Sequence, residues 1–331
     1  MKPLAFTLVC ALLAFATDAH AVTIDWSYVG NSGNANDSTG YGAVAYNYRI
    51  DKYDVTVGQY TAFLNSVAAT DTYSLYNTSM ASDLNIAGIS RSGSSGSYSY
   101  GVIGSSANLP ITYVSWGDAA RFSNWLQNGQ PTGAQGPGTT ETGAYTLNGD
   151  TTVLREARNA RATIFIPSEN EWYKAAYYNP AGSYNQYPFS SNAIPTSAMP
   201  GSTPNTGNFL SNSGAFAVTG STGYSRSQNY LTAVGAYTAS ASPYGAYDMG
   251  GDVFQWNEAL IGTFPFRGLR GALWYDYSTT LASSYRSDVG DPTREGFGIG
   301  FRVASIVPEP STFALAAFGF IALAWRLRRR A

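Results

Sequence analysis

One thiol and one imidazole are available to this 331-residue chain, Cys10 and His20, and both sit near its start. Thiolate attack, thiol–disulfide cycling and soft-metal ligation need sulfur or imidazole. Beyond His20 that chemistry has no side chain to run on. Oxygen chemistry remains. Asp248 and Asp252 flank Gly250-Gly251, and Glu169 and Glu171 lie close together. Carboxylate pairs can do acid/base work. Here each has a plainer explanation: Glu171 follows Ser168 at the spacing of a capping box, and Asp248 sits in a structural motif. Gly250-Gly251 lacks the lysine and the following helix of a phosphate loop. Arg270, Arg286 and Arg302 are isolated in sequence and are expected to pair rather than catalyse.

The formal net charge is −2, and outside the C-terminal arginines the body has no basic patch or run, so a nucleic-acid partner is not expected. A body without cysteine cannot build a disulfide framework, so packing and backbone hydrogen bonds must hold it. The 25 tyrosines and 7 tryptophans can serve an aromatic core or stack on sugars, and the core reading is the stronger.

The elements that must position these residues begin with a strand over Tyr48 to Val55, where apolar and polar residues alternate. Thr56 with Gln59, Ser115 with Asp118, and Ser168 with Glu171 open three capped helices. Leu109 to Val114 and Ala162 to Ile166 read as strands. So do Leu231 to Tyr237, Gly245 to Met249, Val253 to Trp256, Arg267 to Trp274 and Gly298 to Ala304. The segments 90–106, 129–150 and 190–230 read as long loops. About three helices followed by short strands and long connections imply one irregular, loop-rich α+β domain.

The two ends read as addresses. Residues 1–21 form a secretory signal: Lys2, an apolar run from Leu4 to Ala16, then Ala19-His20-Ala21 for cleavage by signal peptidase. Removal takes Cys10 and His20 with it. Residues 307–331 run Val307-Pro308-Glu309-Pro310, a short apolar stretch to Trp325, then Arg326, Arg328, Arg329 and Arg330. That order resembles the PEP-CTERM sorting signal of Gram-negative bacteria. The resemblance implies a short transmembrane helix, membrane contact only through this tail before processing, and an exosortase-type protease as partner. It also implies an exported product at the cell envelope, outer surface or extracellular matrix.

Between them, residues 22–305 carry an ordered set of motifs. These are Lys52-Tyr53-Asp54-Val55-Thr56-Val57-Gly58, Leu109-Pro110-Ile111-Thr112-Tyr113-Val114-Ser115-Trp116, Ile166-Pro167-Ser168-Glu169-Asn170-Glu171-Trp172, Tyr244-Gly245-Ala246-Tyr247-Asp248-Met249-Gly250-Gly251-Asp252-Val253-Phe254-Gln255-Trp256, and Gly298-Ile299-Gly300-Phe301-Arg302. In this order they resemble the formylglycine-generating, sulfatase-modifying-factor family. The resemblance implies a C-type-lectin-like fold with short antiparallel sheets.

It does not carry the chemistry across. The family's oxidases hold copper on two cysteines, and Ser278 and Ser283 fall near those positions. A serine hydroxyl is a poor Cu(I) ligand, so no copper is expected. Another branch uses histidine-held iron, which a body without histidine cannot build. The family's calcium ligands map onto Asn205, Asp252 and Gln255, making calcium a candidate cofactor. The alternative is a turn in which Asp252 caps neighbouring amides. These readings imply a non-catalytic binding or structural module, with an extracellular polysaccharide or surface protein as ligand through the long loops. The alternative is a family enzyme that modifies protein cysteine with a divergent active site.

Overall fold

The computed structural model describes residues 21–287 and 290–307. Cys10, His20 and the sorting tail from Pro308 lie outside the described residues.

In chain order the strands are β1 (Trp26–Val29), β2 (Tyr48–Asp51), β3 (Ile89–Ser92), β4 (Ser99–Val102), β5 (Ile164–Phe165), β6 (Tyr178–Asn179), β7 (Ser183–Tyr184), β8 (Thr196–Ser197), β9 (Thr206–Gly207), β10 (Phe254–Ile261), β11 (Phe266–Arg270), β12 (Ile299–Gly300) and β13 (Ala304–Ile306). The helices are α1 (Val57–Val67), α2 (Ser79–Ser82), α3 (Trp116–Gln127) and α4 (Glu169–Tyr177). The architecture is α+β, as expected.

All three expected capping boxes form. Thr56, Ser115 and Ser168 each accept from the backbone N–H three residues on, and Gln59, Asp118 and Glu171 return the bond to the cap amide. Each box satisfies two of the amides a helix start leaves open. Helix α1 buries Tyr60, Phe63, Leu64 and Val67, and α3 is buried along almost its whole length. Their aromatic rings meet edge to face: Phe63 and Phe122 have centroids 5.4 Å apart, and Phe122 and Phe301 5.3 Å. Such geometry adds to area burial because ring edges and faces carry opposite partial charge.

An antiparallel sheet of order β1-β2-β13-β5 closes the domain, pairing Ile50 with Ala304 and so joining its first and last segments. A second sheet, β11-β10-β12, pairs Gln255 with Arg270 antiparallel and with Gly300 in parallel. The short β8 and β9 are also parallel, so the sheets are not uniformly antiparallel.

Four element expectations are corrected. Residues 90–106 are not a loop throughout: β3 and β4 form a hairpin with Ile89 opposite Val102. Serine and glycine hide its two-residue period. Leu109 to Val114 is not a strand. Pro110 lacks a donor, Tyr113 turns left-handed at φ 56°, and the segment bonds singly to Val55 and Gly296. Leu231 to Tyr237 forms no strand either. Its amides go elsewhere, Leu231 to the Asn229 side chain, Thr232 to the Asp252 carboxylate and Val234 to the Asn108 carbonyl. Gly245 to Met249 is a turn, with φ 78° at Gly245 and 56° at Asp248.

Candidate functional site

The turn before β10 is built on left-handed backbone. Asp248 and Asp252 have φ of 56° and 65°, and Gly251 has 81°. A Cβ on Gly251 would lie 2.5 Å from the Asn208 carbonyl oxygen, so this position requires glycine. The Asp252 carboxylate accepts from Asn208 Nδ2 at 2.8 Å, Thr232 Oγ1 at 2.7 Å and the Thr232 amide at 3.2 Å. Burial pushes this carboxyl up to about 7, opposed by the Thr232 hydroxyl and reinforced by nearby Asp248.

Gln255 faces a different set of partners. Its Oε1 accepts from the Trp172 indole at 2.6 Å and Arg302 Nε at 2.7 Å, while its Nε2 donates to the Asp248 carbonyl at 2.7 Å. Asn205 lies apart from both. Its Nδ2 donates to the carbonyls of Ala193 and Ile194, and its Oδ1 is buried without a partner. Asn205, Asp252 and Gln255 therefore share no hydrogen-bond partner. The Gln255 oxygen already holds two donors, one of them cationic, which no calcium ligand could share. The donor set does not fit a calcium ion. Among the described residues no group of three or more His, Cys, Asp or Glu side chains is placed to hold a metal.

The arginines singled out in sequence are structural. Arg302 is fully buried and bonds Asp54 Oδ1 at 3.1 Å, Gln255, and the carbonyls of Asp51, Tyr247 and Asp248. Arg270 and Arg286 share the Glu169 carboxylate at 2.8 and 2.6 Å. Arg158 bridges Glu171 at 2.7 Å and Glu258 at 2.6 Å. Burial pushes the Glu171 carboxyl up, but Arg158 outweighs it and holds it below the usual range.

Ser278 is buried at the start of a 3-10 turn, Ser278–Leu281. Ser283 is half-buried, with its carbonyl accepting from Arg270 Nη1 at 3.1 Å and its amide donating to Gln186. Thus the backbone of this segment is tied down, and among the described residues neither serine hydroxyl is hydrogen-bonded to an imidazole or a carboxylate that would activate it.

An open cavity of about 220 Å³ lies beside this segment. Trp274, Tyr275, Phe297 and Tyr224 wall it, and Asp83 and Asn85 supply polar atoms. Trp274 stacks on Tyr230 with centroids 4.7 Å apart and planes 8° apart, and Tyr224 stacks on the other end of the row. Tyr275 is 50% exposed and Tyr224 51%. Asp83 accepts from the Tyr113 hydroxyl at 2.8 Å and from the Asn85 amide. Burial and then the Asp83 carboxylate push the Tyr113 hydroxyl up, so it stays protonated as the donor. The sequence reading missed this site, because it joins α2, the long 190–230 loop, the chain after β11 and the chain before β12. The one legible signal was the run Trp274-Tyr275 next to the serines.

Comparison with known proteins places this architecture. The hercynine oxygenase of Mycolicibacterium smegmatis is 33% identical over 137 residues, 40% of this chain and 26% of that protein. The hercynine oxygenase of Mycolicibacterium thermoresistibile is 30% identical over 172 residues, 45% of this chain and 33% of that protein. The chain therefore spans about a third or less of the curated relatives it matches. The crystal structure of CarF superposes with a TM-score of 0.50 at 18% identity, covering 86% of this chain and 99% of that one, a likeness of fold. A PEP-CTERM protein-sorting motif matches residues 307–330, which marks the chain for export to the cell surface in Gram-negative bacteria and implies exosortase processing. The sulfatase-modifying factor enzyme 1-like domain matches residues 33–307, nearly all of the folded body just described, and the chain belongs to that family.

Proposed function

We propose that this is an exported surface or matrix protein whose sulfatase-modifying-factor-like domain binds a ligand rather than oxidising a substrate. One observation carries the reading. The only thiol and imidazole of the chain are Cys10 and His20, in the stretch read as a removable signal, while Ser278 and Ser283 stand near the positions of the family's cysteines. Neither serine can bind Cu(I) tightly or cycle through a disulfide. The likeness to hercynine oxygenases does not restore an iron centre, since the folded body has no histidine to hold one. The charges deep in the domain fit the same reading: Arg121, Arg270 and Arg302 are each matched to a carboxylate inside the fold. Rigid frames of this kind suit recognition by the loops they carry. A polysaccharide or a surface protein is the ligand class, and the reading invokes no calcium, since the Gln255 oxygen already accepts from Trp172 and Arg302.

The test uses the exported protein purified from its producing cells. Metal content is measured by mass spectrometry, and oxygen uptake is followed with a cysteine-containing peptide. The expected result is no stoichiometric copper or iron and no peptide-dependent oxygen uptake. Bound copper together with oxygen uptake would establish the alternative, a family enzyme with a displaced site.

A further inference from the structure

We infer that the cavity between Asp83, Tyr224, Trp274, Tyr275 and Phe297 is a binding site for one neutral sugar ring, such as the terminal residue of an extracellular glycan. The inference rests on the binding-module reading and names its ligand class.

Three features argue for it. First, the walls are aromatic and reachable: Tyr224 and Tyr275 are half-exposed and Phe297 is 37% exposed, although large apolar side chains usually hide. Tyr275 and Phe297 stand edge-on to Trp274 at 5.4 and 5.7 Å, leaving a cleft with aromatic sides. The C–H face of a pyranose packs against such rings as an apolar surface. Second, the polar atoms ask for a ligand that both donates and accepts. The Asp83 carboxylate takes one hydrogen bond on each oxygen and has lone pairs left for hydroxyl donors. Trp274 is 3% exposed and its indole N–H has no acceptor among the described residues. A buried donor without a partner is costly, so a native one calls for an explanation. A ligand hydroxyl seated against the Trp274 wall is the group that would supply that acceptor. Third, the size and charge select. At about 220 Å³ the cavity is smaller than drug-sized pockets, which start near ~300 Å³, and suits a single ring. Asp83 is the one charged residue among those lining it, so uronic and sulfated sugars are disfavoured.

The indole N–H also separates a sugar from the other ligand that aromatic walls and a carboxylate suit, a quaternary ammonium. Such a cation gains from ring faces and from Asp83 but offers no acceptor to Trp274.

The test titrates the exported protein with methyl glucopyranoside, methyl mannopyranoside, methyl galactopyranoside and N-acetylglucosamine, with glucuronate and tetramethylammonium as comparison arms. Binding is read by saturation-transfer NMR and tryptophan fluorescence. At least one neutral glycoside should bind, with a dissociation constant on the order of millimolar, as expected for one small ring. Glucuronate should bind more weakly than its neutral counterpart. Trp274→Phe keeps an aromatic side chain but removes the N–H along with the five-membered ring, and should weaken binding about tenfold or more, at least the worth of one hydrogen bond. Tyr275→Ala alters an exposed wall with little risk to folding and should weaken it similarly, with the thermal midpoint unchanged. Tetramethylammonium binding with no glycoside binding, or no binding by any probe, overturns the sugar assignment. Either result, in protein that holds no copper and takes up no oxygen, leaves the binding-module reading standing. Copper with oxygen uptake defeats that reading whatever the glycosides do.

Discussion

Single residues carry unusual electrostatic weight in this domain. Asp252 is buried, and its carboxyl titrates near 7 rather than 3.8. A raised folded pKa means the native state holds a proton that the unfolded chain releases. The contribution of Asp252 to stability is then fully present below about 4 and is lost as pH rises through about 7. Asp252→Asn should flatten that slope, because the amide is neutral throughout and Thr232 Oγ1 can turn from donor to acceptor. Thermal midpoints recorded across this range for both proteins check it; an unchanged slope in the variant would exclude Asp252 as its source. Arg302 is the opposite case, a buried cation satisfied on every side. Arg302→Met leaves Asp54, Gln255 and three carbonyls without their donor, and is expected to cost about 3–5 kcal/mol in a denaturant titration. A variant that unfolds at the wild-type midpoint would show that the cluster adds nothing.

Helices show how much local sequence can say. The pairs Thr56–Gln59, Ser115–Asp118 and Ser168–Glu171 are readable as caps because the bonds close within one turn and need no distant partner. Thr56→Ala is expected to cost about 1 kcal/mol, near the usual worth of a side-chain cap, and chemical denaturation measures it. Ser168→Ala should cost more, since Glu171 in that box is also tied to Arg158 and Tyr46. Equal losses at the two caps would contradict this coupling. Strands were less legible for a physical reason. Leu231 to Tyr237 has the composition of a strand, yet Asp252 and Asn108 capture its amides from across the fold. The β3–β4 hairpin has the opposite character, with a loop's composition and a ladder's pairing.

For the whole molecule, the β1-β2-β13-β5 sheet joins the two ends of the domain. Ending the chain before Ala304 removes the strand that bridges β2 and β5, and should abolish cooperative thermal unfolding by circular dichroism; a sharp transition at the original midpoint would show that the sheet is dispensable. The family assignment, the sorting tail and the lack of body cysteine and histidine were all legible in sequence, because each depends on residue identity and order along the chain. The same is true of the three caps, whose partners are neighbours. The fate of Asn205, Asp252 and Gln255 was not legible: residue types that suit calcium point to separate hydrogen-bond partners once the turn is folded. The aromatic cavity likewise exists only in three dimensions. Asp83, Tyr224, Trp274 and Phe297 lie far apart in the chain, and no local rule records which distant loops will meet, since packing over the whole core decides that.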